Sequence, residues 1–128
     1  MKTSGCIMLA IVGMLCGGCE DTLAPFQPEI GNMQDSFQLQ ATNVTNVTTT
    51  LVYPWKNTGT RATINHSTTT TTGTTLLVLK DSTGSTVYSK ALFPSLNEPT
   101  DTGAAGSWTI ILTLTNYSGT LNFRAQKL

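Results

Sequence analysis

The chain has 128 residues, 39% of them hydrophobic and 11% charged, with seven Lys and Arg balanced by seven Asp and Glu. That length and apolar fraction exclude a wholly disordered polypeptide and fit one globular domain. Lys56, Arg61, Lys80, Lys90, Arg124 and Lys127 are dispersed among polar residues, so the clustered basic charge that displaces counterions from phosphates is missing and nucleic acid is not an expected partner.

At the amino terminus Lys2 supplies a positive start, and Cys6 to Cys16 form an uncharged apolar run closed by Gly17, Gly18, Glu20 and Asp21. A spanning helix needs about 20 apolar residues, so this run reads as a secretory leader. Leu15-Cys16-Gly17-Gly18-Cys19 resembles the lipobox of bacterial lipoproteins: small Gly17 and Gly18 precede Cys19, which takes the place of the invariant cysteine, while Cys16 stands where Leu is usual. The resemblance implies removal of residues 1–18, acylation of the Cys19 thiol, membrane lipid as a partner, and an extracytoplasmic location on the cell membrane or outer membrane. The three cysteines are Cys6, Cys16 and Cys19, so no disulfide is expected in the exported body.

Residues 19–34 carry Pro25, Pro28 and Gly31 without helical or alternating periodicity, and are expected to be a tether. From Ser36 onward, apolar residues alternate with polar ones, the pattern of strands that bury one face. Ser36 to Thr42 points Phe37, Leu39 and Ala41 one way, and Val44 to Lys56 does so with Val47, Leu51, Tyr53 and Trp55. Pro54, which cannot donate a ladder hydrogen bond, marks that second strand as an edge, a bulge or an end. Thr60 to Ser67 presents Ala62, Ile64 and His66, and Thr74 to Lys80, apolar on both faces, is expected to be central. Asp81 and Gly84 hold the first and fourth places of a type I turn leading into Thr86 to Phe93. Pro94 to Gly106 reads as a long loop; Trp108, Ile110, Leu112 and Leu114 alternate in the next strand. Asn116 to Gly119 reads as a second such turn, before a last strand over Thr120 to Lys127 that buries Leu121, Phe123 and Ala125.

With Thr filling about a fifth of the chain and no amphipathic-helix spacing, the expected class is all-β. The expected architecture is an antiparallel β-sandwich of about seven to eight strands over 35–128, Ig-like or jelly-roll-like, behind a leader helix and a flexible tether, with a small barrel as the alternative. Gly106, Trp108, Gly119 and Phe123, in the order strand, Asp-turn, strand, loop, Gly-x-Trp strand, Asn-turn, strand, resemble the carboxyl-terminal half of CUB-like and pre-peptidase C-terminal domains. That resemblance implies fold and not activity.

Few residues are candidates for chemistry. His66 is the single histidine and, in phase with Ala62 and Ile64, reads as a partly buried, hydrogen-bonded side chain rather than a ligand or base. Glu98 and Asp101 form the one close acidic pair of the domain, suited to calcium or to hydrolysis only if the loop brings them together. The run Thr68 to Thr72 reads as a solvated loop or edge strand. The Asn-x-Ser/Thr matches at Asn43, Asn46, Asn65 and Asn116 read as chance in a Thr-rich chain. Tyr53, Trp55, Trp108 and Phe123 are expected in the core, and Tyr88 and Tyr117 on the surface. No catalytic, cofactor or metal residue is assigned. The expected role is a lipid-anchored, non-enzymatic binding or structural module of the cell envelope, its partner an envelope protein or glycan. A hydrolytic or accessory subunit using Glu98 and Asp101, or a calcium-stabilised domain, is the alternative.

Overall fold

A computed structural model describes residues 26–128; the expected leader and Cys19 lie outside the described residues. The described chain is all-β, in seven strands: β1 (Glu29–Met33), β2 (Ser36–Asn57), β3 (Ala62–His66), β4 (Thr69–Lys80), β5 (Thr86–Lys90), β6 (Leu96–Pro99) and β7 (Gly106–Lys127). All pairings are antiparallel.

Two strands of 22 residues, β2 and β7, organise the molecule by pairing with each other from Ser36 opposite Gln126 to Asn57 opposite Gly106. On the other edge of β7, β3 pairs with its second half and β4 with its first half. The result is one hydrogen-bonded sheet folded across its middle into the two layers of a sandwich. One layer holds β1, the start of β2, the end of β7, β3 and β6; the other holds the end of β2, the start of β7, β4 and β5. Phe37 in the first layer meets Tyr53 in the second with ring centroids 5.4 Å apart.

The crease has a local cause. Apolar alternation in β2 steps by two through Phe37, Leu39 and Ala41, then by three to Val44 and Val47, and the register shifts at those steps. Each three-residue step contains an asparagine in the left-handed region, Asn43 at φ 54° and Asn46 at φ 48°. Such an extra residue bends a strand while keeping the inward face apolar on both sides. Asn116, at φ 47°, does the same in β7 between Leu114 and Tyr117, and Gly73 and Gly119 have φ of 82° and 149°. Asn tolerates this region better than branched residues because its short side chain adds little steric conflict. Asn43, Asn46 and Asn116, three of the asparagines in the sequon-like matches, therefore have a backbone role at these bends.

Several expected boundaries are corrected. Ser36 to Thr42 and Val44 to Lys56 are one strand, as are the two strands expected on either side of Asn116, whose turn-like residues bend the chain without reversing it. Glu29–Met33, within the expected tether, is a strand paired with Ser36 to Gln40, and Leu96–Pro99 is a strand within the expected loop. Thr69 to Thr72 form the start of β4, an edge strand as expected, bonded to β7 on one side and, among the described residues, without a strand on the other before Leu77, while Thr68 precedes the strand and is buried. Tyr117 is fully buried because the bulge at Asn116 resets the alternation, and its hydroxyl donates to the Thr69 carbonyl at 3.0 Å. Tyr88 is also buried, opposite inward-facing Leu79.

The inward aromatic side chains lie as expected. Trp55 and Trp108 are opposite each other and meet edge to face at 6.0 Å, a contact worth about 0.5–1.5 kcal/mol beyond burial. Their indole nitrogens donate to the carbonyls of Met33 (3.0 Å) and Ala104 (2.8 Å), so neither buried N–H is left unpaired. Pro54 lies on an edge stretch of β2, where its missing donor costs no ladder bond.

The crease yields a comparison among glycines. A Cβ at Gly119 would overlap the Thr69 carbonyl oxygen, whereas one at Gly84, also at positive φ, would meet nothing within 4 Å. In urea unfolding, Gly119→Ala is expected to lose more than about 2 kcal/mol and Gly84→Ala about 1 kcal/mol. Equal losses would remove the steric account of the crease.

Candidate functional site

The sandwich has two unlike ends. The crease end comprises the bends of β2 and β7, the corner between β3 and β4, and the crossing between β5 and β6. Residues 42–50, 67–74, 91–95 and 115–120, which make these features, contain no Asp, Glu, Lys or Arg. The loop end carries Asp35, Lys56, Arg61, Lys80, Asp81, Asp101 and Lys127.

Two surface clefts lie at the crease end and share the ridge Asn43 to Thr45. The larger, about 640 Å³, is walled by Phe26, Glu29, Ala41, Val44 and Val47; the shallower, about 350 Å³, by Thr69, Thr71, Ser118 and Thr120. Hydroxyls, carboxamides and short apolar groups line them, and Glu29 is their one ionisable residue. Such a surface can hydrogen-bond a neutral partner and exclude water from it.

The loop end is ordered by carboxylates that accept several bonds each. Asp81 accepts from the Thr83 hydroxyl (2.7 Å) and from the backbone N–H groups of Thr83 (2.9 Å), Ser85 (3.0 Å) and Ala104 (2.9 Å). These bonds, the Thr83 hydroxyl foremost, hold its pKa down to about 2. The expected type I turn is present, with Gly84 N–H donating to the Asp81 carbonyl at 3.0 Å. Asp35 accepts from the Thr58 N–H at 2.7 Å and from its hydroxyl, with Lys127 3.9 Å away, and the Thr58 backbone bond leads in lowering its pKa.

Glu98 and Asp101 are not brought together as a ligand pair. Glu98 points between the layers, accepting from the Tyr88 hydroxyl at 2.8 Å and from Lys90 Nζ at 3.0 Å, and the Lys90 bond leads in depressing its pKa. Asp101 is exposed in the following loop, its backbone N–H donating to Val87. Among the described residues no three His, Cys, Asp or Glu converge as metal ligands. His66 points inward as expected and is 3% exposed, but among the described residues neither ring nitrogen meets a hydrogen-bond partner, so the expected bond is not seen. Burial lowers its pKa, with Glu98 opposing in part.

Sequence reasoning missed the crease end as a surface, although the absence of charge over 42–50, 67–74, 91–95 and 115–120 is readable once those segments are known to be neighbours. Comparison of the chain with protein-family models, curated proteins and solved structures gave no match.

The buried imidazole fixes the sign of a pH effect. The unfolded chain protonates His66 more readily than the folded one, so stability is complete above the ordinary imidazole pKa and declines as pH falls below it. Melting temperature is expected to drop between roughly pH 7 and 5, and His66→Leu to flatten that part of the curve. A slope unchanged in the variant would contradict this. The lowered carboxyl pKa values act the same way at more acid pH: Asp81 stabilises fully above the ordinary aspartate range and loses that contribution as pH falls towards about 2. Asp81→Asn should therefore be destabilised at neutral pH and lose less than wild type on acidification.

Proposed function

We propose that this chain is a lipid-anchored, extracytoplasmic β-sandwich that acts as a non-enzymatic binding or structural module of the cell envelope. The observation that carries the reading is Cys19, placed after Gly17 and Gly18 at the end of a short apolar leader. Acyl chains on that sulfur supply about 0.8 kcal/mol per buried methylene, and two chains suffice for lasting attachment.

The folded body supports this role by the contacts that close its two layers on each other. One open side of the sandwich is pinned by Asn32 Nδ2 donating to the Pro54 carbonyl (2.8 Å) and by the Trp55 indole; the other is pinned by Glu98 bridging Tyr88 and Lys90. Asp35, Asp81 and Glu98 are engaged in such contacts, which favours a scaffold over a reaction centre. The loop end, with the turns at Asp35, Thr58, Asp81 and Asp101, is the face available to an envelope protein or glycan.

The anchoring is tested by fatty-acid labelling in the producing cell. Wild type is expected to incorporate label and to stay with membranes through a high-salt wash, while Cys19→Ser loses both properties. Label retained by the variant would refute the proposal.

A further inference from the structure

We propose that the crease end, whose bends and corner carry no charged residue, is the face turned towards the lipid bilayer, with the charged loop end directed away from it. The inference rests on the acylation of Cys19 and adds an orientation to it.

Three observations converge. Because Glu29–Met33 belongs to the sheet, only Glu20 to Pro25 lie between Cys19 and Phe26, and that stretch reaches about 25 Å at most. Phe26 lies at the crease end, against the cleft formed with Val44 and Val47. β1 runs away from that end, pairing Glu29 with Gln40 and Met33 with Ser36. The anchor therefore enters the domain at the crease, and the loop end stands about 25 Å further along the strands.

The chemistry of the two ends agrees with this placement. A charge brought against the low-dielectric edge of a bilayer loses hydration, and an acidic one is also repelled by anionic headgroups. The bends and corner of the crease avoid both costs with Thr, Ser and Asn, whose polar groups suit a headgroup layer. Phe93, exposed in the crossing between β5 and β6, adds an apolar side chain here, although Met33 and Leu128 are similarly exposed at the loop end, so the entry of the chain and the charge pattern carry the orientation. Glu29 is the exception, at the entry of β1. Lacking basic residues there, the crease end is held by the anchor and by neutral contacts, and with Glu20, Asp21 and Glu29 beside the entry its apposition should gain nothing from anionic lipid.

Thr71 and Thr102 are exposed at the two ends, and the exported chain has no cysteine after Cys19. Thr71→Cys and Thr102→Cys in the full acylated protein are therefore labelled with a fluorophore and reconstituted into phosphatidylcholine vesicles whose headgroups carry a nitroxide quencher. Quenching is expected to be several-fold stronger at position 71 than at 102, and not strengthened by anionic lipid. Equal quenching, or stronger quenching at 102, on a protein whose mass shows acylated Cys19 overturns the orientation and leaves the anchoring intact. An unmodified Cys19 overturns both. Quenching at neither position, with emission at 71 shifting instead on addition of soluble peptidoglycan fragments, overturns it in favour of a glycan-binding crease.

Discussion

The fold depends on a small set of residues held at positive φ in the middle of long strands. Without Asn43, Asn46, Gly73, Asn116 and Gly119 in that region, β2, β4 and β7 would continue as a flat sheet with an exposed apolar face. Each conformation is locally unfavourable, and burial of the facing layers offsets it. Trp55, Trp108, Tyr117, Phe37 and Phe123 are all fully buried, each contributing about 1.5–3 kcal/mol or more relative to exposure. The crease and the core thus require one another: the bend brings the layers together, and their contact holds the bend.

Folding one sheet also sorts the surface. Strand ends that carry charged turns gather at one end, and strand middles, built of Thr, Asn, Ser and Val, form the other. The chain enters beside Phe26 at the uncharged end, so the same bends that close the core decide which face lies nearest the amino terminus. The carboxylates of Asp35, Asp81 and Glu98 take part in turns and cross-layer contacts that hold the folded body together.

Much of the architecture was legible in the sequence because half-buried strands alternate. The inward sets Phe37, Leu39, Ala41 and Trp108, Ile110, Leu112, Leu114, as well as the buried Leu121, Phe123 and Ala125, lie where their spacing places them. The crease was not legible, since Asn-Tyr-Ser-Gly has the same local preference in a reversing turn as in a bulge, and only long-range pairing decides between them. Its trace is the three-residue step in the apolar pattern, Ala41 to Val44 to Val47 and Leu114 to Tyr117. Simple two-residue alternation, without that step, points Tyr117 outward, whereas it is buried. The strand Glu29–Met33 is exposed at all five positions and has no alternation to read. His66 was correctly phased, but periodicity reports which way a side chain points and not what it bonds to.

The creased sheet is tested most directly by nuclear magnetic resonance of the leaderless chain. The account predicts cross-layer Overhauser contacts between the rings of Phe37 and Tyr53, together with backbone couplings of left-handed residues at Asn43, Asn46 and Asn116. Absence of the ring contacts, with extended-strand couplings at the three asparagines, would contradict it.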